Sequence, residues 1–248
     1  MRGGHFQNGQ YRKLAAKEMG LVYGDFEKRL LTDETAFSSG GRELALVVLG
    51  GSAAYRYGER TGTAAHRDVL YLPIEETITL KGQATVLCYG APCTRRTAFR
   101  HIVFEEVAAD ERHKRYGSAA QNTARHVYNC IDDTFDSSRL LMGFCDGAPG
   151  GWTAWPPHEH GKAREEIYYY TGMEDGFALQ CVYDDLAEGD AVRMVREGDL
   201  IAIPGGYHPN VGCPKTGIHY LFCMVSVKEG DRRFMDLTVQ KEFGDKLE

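Results

Sequence analysis

The sequence predicts an all-β protein built from two barrels or sandwiches in tandem. Short apolar runs of strand-forming residues recur along the chain, with Gly or Pro between them. The 29 glycines among 248 residues indicate frequent tight turns. The pattern Asp-Val-Leu-Tyr-Leu-Pro at residues 68–73 returns as Asp-Leu-Ile-Ala-Ile-Pro at residues 199–204. This internal repeat indicates that a similar β-domain occurs twice.

The pattern divides the chain into four parts. Residues 1–40 form an N-terminal segment of mixed polarity, in which residues 11–19 could be a short helix or a loosely held end. Residues 41–115 are predicted to hold the first barrel and residues 139–248 the second. Residues 116–138 are predicted to be a linker, because charged and small polar side chains dominate there, as in solvated loops.

Each barrel is predicted from its own series of strands. In the first barrel, the apolar residues 43–49 are followed by Gly50-Gly51, which predicts a buried strand and then a turn. Its other predicted strands lie at residues 53–58, 67–73, 77–80, 84–89 and 99–104. The second barrel has predicted strands at residues 139–144, 177–183, 191–195, 199–204 and 219–225.

Composition and charge exclude several classes of function. An apolar content of 43% and a charged content of 26% are ordinary for a soluble globular protein. The net charge of -6 provides no basic field, so neither nucleic acid nor a membrane surface is predicted as a partner. No apolar run approaches membrane-spanning length, and no signal core follows Met1. Seven cysteines without a CxxC pair indicate free thiols and a cytoplasmic protein.

The residues that predict a function are His158 and His160, followed by Glu165 or Glu166 and later by His208. Two histidines that are two residues apart on a strand share a face, so both imidazoles can reach one point. A carboxylate on the same hairpin and His208, which follows an apolar strand, would complete a site of three nitrogens and one oxygen. Such a set suits one divalent metal; zinc is favoured, with manganese, iron or nickel as alternatives.

These residues resemble the cupin superfamily, whose domains are double-stranded β-helix, or jelly-roll, barrels. Four residues fit the later part of its first motif, G-x5-H-x-H-x(3,4)-E-x6-G: His158, His160, Glu165 and Gly172. Three fit the second motif, G-x5-P-x-G-x2-H, in which His208 arrives one residue early: Gly198, Pro204 and Gly206. The resemblance implies a tandem cupin, or bicupin. Its first barrel would hold no metal, because it contains no His-x-His.

A closer resemblance is to the 5-deoxy-glucuronate isomerase family of inositol breakdown. It rests on the segments at 125–129, 151–160, 165–169, 176–183 and 203–209. The early histidine of the second motif belongs to that family's own pattern. The family usually has a basic residue between the paired histidines and an Asp after them, where this chain has Glu and Gly. The resemblance implies a two-barrel isomerase acting on a small uronic acid, and a homo-oligomer is a further expectation.

The implied reaction converts 5-deoxy-D-glucuronate to 5-dehydro-2-deoxy-D-gluconate through an enediol, in myo-inositol catabolism. A metal would polarise the sugar oxygens, and a pocket carboxylate or a metal-activated water would act as the base. Spacing from His160 favours Glu165 as the acid, whereas the Glu-x-Tyr pattern of the related hexosulose-uronate ketol-isomerases favours Glu166. We favour Glu166, because it would place Tyr168 and Tyr170 on the pocket face, where they could bind substrate.

Three further residues are candidates for the site. Tyr207 precedes a predicted ligand and could support it or take part in catalysis, or it could simply pack in the turn. Arg125 or Lys215 could pair with the carboxylate of a uronic acid, the arginine through two parallel bonds, or either could be a plain surface charge. Three alternatives stay open: a related uronate ketol-isomerase, an iron-dependent dioxygenase and a non-catalytic sugar-binding cupin.

Overall fold

The structure is a computed structural model that describes residues 3–187 and 191–247. Helices are few among these residues: one α-helix, α1, at Phe104–Ala109, and 3-10 turns at Ala16–Met19 and Ala119–Gln121. Within the described residues, no helix is both long and apolar enough to cross a bilayer. The remaining regular structure is β, which confirms the predicted fold class.

The strands are numbered in chain order. The first nine are β1 (His5–Phe6), β2 (Lys13–Leu14), β3 (Asp25–Leu31), β4 (Thr35–Ser38), β5 (Arg42–Tyr57), β6 (Arg60–Ala64), β7 (Val69–Leu72), β8 (Thr77–Pro92) and β9 (Arg100–Ile102). They are followed by β10 (His113–Tyr116), β11 (Arg125–Ile131), β12 (Leu140–Gly147), β13 (Trp152–Thr153), β14 (His158–Glu159), β15 (Arg164–Tyr170) and β16 (Ala178–Cys181). The last are β17 (Val192–Val195), β18 (Leu200–Ile203), β19 (Asn210–Gly212), β20 (Ile218–Ser226) and β21 (Thr238–Val239).

The first barrel is an antiparallel sheet in the order β2-β3-β8-β5-β7-β9, with β4 on β8 and β6 on β5. The turn predicted at Gly50-Gly51 is wrong, because β5 runs on through a register shift between Leu49 and Gly51. Gly51 has a φ of 74°, and a Cβ there would lie 2.0 Å from the carbonyl oxygen of Gln83. The glycines therefore permit a bulge within one long strand.

The second barrel combines three sheets, all antiparallel. The largest has the order β1-β18-β15-β20-β12-β11-β10, the next has the order β13-β19-β16-β17, and β14 pairs with β21. The predicted linker, residues 116–138, differs from an irregular connection, because it contains β11 with partners on both sides. Arg125 and Asn129 of β11 are buried. Arg125 and Asn129 thus belong to the wall of the barrel, whereas residues 119–122 and 133–134 of the same segment are exposed.

The internal repeat has a structural counterpart. Asp68 accepts a hydrogen bond from His101 at 2.9 Å, and Asp199 makes the same contact with His5 at 3.0 Å. In each case the histidine lies on an edge strand, opposite the residue two positions after the aspartate. In the second barrel this edge strand is β1. Residues 5–6 therefore complete the second barrel, although they precede the first barrel in the sequence.

The apolar core of the described residues is divided into three clusters. One fills the first barrel and includes Leu46, Leu70, Ile78 and Val86. Another fills the second barrel and includes Tyr168, Phe222 and Met224. The third lies between the barrels and draws on both, including Phe26, Val47, Phe144, Ile167 and Leu221. Alternate residues of β5, β15 and β20 therefore face a barrel interior or the interface between barrels.

Candidate metal centre

Three histidines converge inside the second barrel, as the sequence predicts. His158 begins β14, His160 follows it by two residues, and His208 stands on the turn after β18. All three are buried, and their potential ligand nitrogens lie within 4.8 Å of one another. The ring centroids are separated by 4.6 to 5.5 Å. Three imidazoles at this spacing can share one metal ion.

Glu166 is the carboxylate that joins the histidines. Its Oε2 lies 3.2 Å from Nε2 of His208 and 3.5 Å from Nε2 of His160. Glu165 is directed to the opposite face of β15, where its carboxylate accepts three backbone hydrogen bonds from residues 22–24. The prediction of Glu165 as a candidate ligand and catalyst is therefore corrected. Its carboxylate lies at the interface between the barrels.

The unsatisfied atoms of this cluster fit a bound cation. Nδ1 of His158 donates to the carbonyl of Pro156, and Nδ1 of His208 donates to the carbonyl of Gly206 at 2.9 Å. These bonds leave Nε2 of each ring as an acceptor. Nε2 of His208 and Oε2 of Glu166 are buried and form no hydrogen bond, although they face each other. Two such acceptors attract a cation placed between them, so the residues fit a metal ion.

The electrostatics of the cluster favour the ligand forms of His158 and Glu166, and a positive charge between Glu166 and His208. Burial lowers the pKa of His158 well below its usual value, and the neighbouring His208 and His160 lower it further, so this ring is neutral. Burial raises the pKa of Glu166, but contacts with His160 and His208 lower it by more, so the carboxylate is ionised. Burial lowers the pKa of His208 while Glu166 raises it, with a net increase. Positive charge is thus favoured beside Glu166.

His158, His160 and Glu166 line a pocket that also contains Arg125 and Tyr168. Arg125 is buried, and its guanidinium donates to the carbonyls of Thr123 at 3.0 Å and Trp155 at 2.7 Å. Among residues 3–187 and 191–247, no carboxylate forms an ion pair with it. A buried arginine without an acidic partner is suited to an anionic ligand.

Three predicted site residues lie outside this pocket. The hydroxyl of Tyr170 is bound deeper in the barrel by Gln180. Tyr207 pairs through its backbone with Tyr183, and the two rings lie 5.8 Å apart, so it packs in its turn. Lys215 is exposed and pairs with a neighbouring carboxylate on the surface. These three assignments are corrected, because sharing a face or a turn with a ligand does not place a side chain in the pocket.

Other pocket residues had not been predicted from the sequence. Tyr220 on β20 stacks on Tyr168 with centroids 4.4 Å apart. Phe234 and Leu237 belong to the C-terminal segment, far along the chain from the histidine motif. The only sequence signal was the alternation of β20 for Tyr220. For the other two there was none, because their position depends on long-range pairing.

Two barrels in tandem, with three buried histidines and a carboxylate converging inside the second, define a two-domain cupin with a site able to bind a metal ion. An IolB-like protein from Salmonella typhimurium has the same fold, with a TM-score of 0.83, 22% identity and coverage of 96% of this chain and 97% of that one. Lactobacillus farciminis oxalate decarboxylase shares the fold more distantly, with a TM-score of 0.62, 12% identity and coverage of 97% and 86%.

The chain belongs to the KduI/IolB family, whose model matches residues 2–242. A 5-deoxy-glucuronate isomerase from Shouchella clausii is 28% identical over 224 residues, covering 82% of this chain and 79% of the relative. The enzyme of the same name from Halalkalibacterium halodurans is 29% identical over 182 residues, covering 68% and 64%. These matches confirm the resemblance found in the sequence.

Proposed function

We propose that the chain is an isomerase that converts 5-deoxy-D-glucuronate to 5-dehydro-2-deoxy-D-gluconate in myo-inositol catabolism. The observation that carries this proposal is the buried cluster of His158, His160, His208 and Glu166, which meets a pocket that Arg125 also lines. Membership of the KduI/IolB family and the names of the relatives support it. All seven cysteines are free, which is consistent with the reducing cytoplasm where we place the enzyme.

The three histidines and Glu166 would hold one divalent metal, and zinc suits this donor set best. Manganese, iron and nickel are alternatives for the same ligands. When bound, the metal would supply Lewis-acid polarisation of the sugar's carbonyl and hydroxyl oxygens. The protein's contribution is to hold the imidazoles of His158 and His208 in fixed orientations, which the carbonyls of Pro156 and Gly206 secure.

Glu166, when it is not a tight ligand of the metal, is the group we assign to proton transfer, and a metal-activated water is the alternative base. Glu166 is the only carboxylate among the described residues that line the pocket, and it is buried and ionised. In the reaction the C–H bond at carbon 2 breaks, an enediol forms, and a C–H bond forms at carbon 1, while the hydroxyl proton on carbon 2 is lost and the oxygen of carbon 1 gains a proton. A carboxylate beside both carbons can accept the first proton and return it, so no external oxidant or reductant is needed.

Arg125 is assigned to the substrate carboxylate. Its guanidinium is fixed by two backbone carbonyls and packs over the ring of Tyr116, with its central carbon 5.3 Å from the ring centroid. A fixed guanidinium offers parallel donors that match a carboxylate. Tyr168 lies in the same pocket, with its ring 6.0 Å from that of His208, and is assigned a substrate contact near the histidines.

The test is to purify the protein, measure its metal content, and follow ketose formation from 5-deoxy-D-glucuronate by proton NMR. In deuterated water, exchange of the transferred proton with the solvent predicts deuterium on the carbon that was carbon 1 of the aldose, which is carbon 6 of the product. A hexosulose-uronate substrate run in parallel distinguishes the related ketol-isomerase reaction. A metal-loaded protein that binds the uronate but never forms a ketose would rule the proposal out in favour of a non-catalytic cupin. Oxygen consumption would instead identify a dioxygenase.

A further inference from the structure

The C-terminal segment, residues 228–247, returns to the second barrel and runs along the pocket. Its strand β21 pairs with β14, so that Val239 lies opposite His158. The next residue, Gln240, donates its backbone N–H to the carbonyl of Pro157 at 2.8 Å. The segment is thus joined directly to the strand that carries a candidate ligand.

This segment supplies an apolar part of the pocket wall. Phe234, Leu237 and Leu247 line the same pocket as the histidines. Phe234 packs edge-on against Phe222 of β20, with ring centroids 5.9 Å apart. None of these side chains carries a hydrogen-bonding group. A hydroxyl placed against this wall would therefore lose its water without gaining a partner.

Contacts on either side of these residues fix the wall in place. The backbone N–H of Phe234 donates to Asp133 at 2.8 Å. The buried Arg164 donates to the carbonyl of Asp236 at 2.9 Å, next to Leu237. A wall held by such bonds keeps its shape when a ligand enters, which is the condition for it to discriminate between similar ligands.

We propose that Phe234 and Leu237 determine specificity by favouring a methylene over a carbon that bears a hydroxyl. The inference rests on the proposed function, because 5-deoxy-D-glucuronate has a methylene at carbon 5 where D-glucuronate has a hydroxyl. Burying a hydroxyl without a partner is unfavourable. Apolar pockets reject an added hydroxyl by about 100-fold at most. Arg125 and the metal ligands then position the sugar, and the apolar wall selects the deoxy compound.

The experiment compares kcat/KM for the two uronates in the wild type and in two variants. We expect the wild type to prefer the deoxy compound by about 10- to 100-fold. Leu237→Asn keeps the number and branching of the side-chain heavy atoms but adds hydrogen-bonding groups, so the preference should fall to within about threefold. Phe234→Tyr should reduce the preference in the same direction. Met235→Gln is the matched control, because Met235 lies on the same segment but is 52% exposed. The substrate preference of this variant should equal that of the wild type.

The metal content and the circular dichroism spectrum of each variant are measured alongside the rates. A folded, fully metallated Leu237→Asn enzyme with the wild-type preference would overturn the inference. If Leu237→Asn does not fold, Phe234→Tyr decides the matter by the same criterion. Equal rates of the wild type on both uronates would refute the specificity inference alone. A wild type that converts neither uronate would refute the proposed function.

Discussion

Glu165 and Glu166 are neighbours on β15, yet their carboxylates act on opposite sides of the sheet. Glu166 faces His160 and His208 inside the second barrel, at 3.5 and 3.2 Å. Glu165 faces the first barrel and accepts backbone hydrogen bonds of 2.6 to 2.8 Å from residues 22–24. The same strand thereby anchors the interface between barrels with one residue and presents a candidate ligand with the next.

This arrangement predicts contrasting effects for two matched substitutions. Glu166→Gln should reduce metal affinity and activity by at least tenfold, because the amide cannot supply the negative charge of the carboxylate. Glu165→Gln should instead lower the free energy of unfolding by about 2 kcal/mol, because three donors lose a charged acceptor. Urea denaturation and metal titration measure the two effects. The assignment fails if Glu165→Gln removes the metal while Glu166→Gln retains it.

Removal of a candidate ligand should separate metal binding from folding. His158→Ala is expected to lose stoichiometric metal and activity while keeping the native circular dichroism spectrum, because a three-ligand remnant holds the ion poorly. His66→Ala is the control, since His66 is exposed and lies outside the pocket. Metal analysis after gel filtration provides the measurement. Stoichiometric metal in the His158→Ala protein would falsify the ligand assignment.

Arg125 is expected to contribute mainly to substrate binding. Arg125→Lys should raise KM for the uronate by about 10- to 100-fold, because an ammonium cannot make two parallel bonds to a carboxylate. Lys215→Ala is the natural comparison, since Lys215 is exposed on the surface. Its kinetic constants should match those of the wild type. If Lys215→Ala raises KM and Arg125→Lys does not, Lys215 and not Arg125 binds the substrate carboxylate.

Asp146 provides a prediction for the dependence of stability on pH. It accepts two hydrogen bonds from Arg67 of the first barrel, at 2.9 and 2.7 Å, and one from His219 at 2.9 Å. Burial raises the pKa of Asp146, but these partners lower it by more, to about 2. The ionised carboxylate therefore contributes about 2 kcal/mol above its unfolded pKa, and this contribution is lost as the pH falls through about 2.

The pKa of His219, which pairs with Asp146, sets the upper pH limit at which this ion pair stabilises the fold. The pKa of His219 is raised above its usual value by Asp146, so its contribution is present below pH 6.5 and is lost as the pH rises through the folded pKa. Asp146→Asn should thus cost most between about pH 4 and 6.5. Asp175→Asn removes only an exposed ion pair and should cost little at any pH. A pH-independent cost for Asp146→Asn would contradict this account.

The sequence predicted those parts of the fold and site that depend on local patterns. Apolar runs and turn residues predicted strands in both barrels, such as β7, β18 and β20, and the spacing of His158 and His160 predicted that they share a face. Alternation along a strand argued that only one of the two glutamates could face the histidines. These inferences succeed because side-chain direction along a strand is determined by the backbone itself.

Features that depend on pairing between distant segments could not be predicted in this way. Nothing near His5 indicates that β1 pairs with β18. Arg125 was a candidate for the substrate carboxylate, but its segment was predicted to be a linker. Its burial depends on a carbonyl acceptor elsewhere in the chain, which the local sequence does not show. Tyr207 was a candidate because it precedes His208, and Lys215 because of its charge. Neither signal shows that the folded chain places both residues outside the pocket. Long-range contacts, not local propensity, determine these positions.

The shared apolar layer between the barrels has a practical consequence for expression of the protein in pieces. A fragment beginning at residue 139 would expose Phe144, Ile167 and Leu221 to water and would lack the edge strands β1 and β10 together with β11. Bare apolar surface and unpaired strand edges promote aggregation. The chain must therefore be produced and assayed whole, even though every candidate ligand comes from its second half.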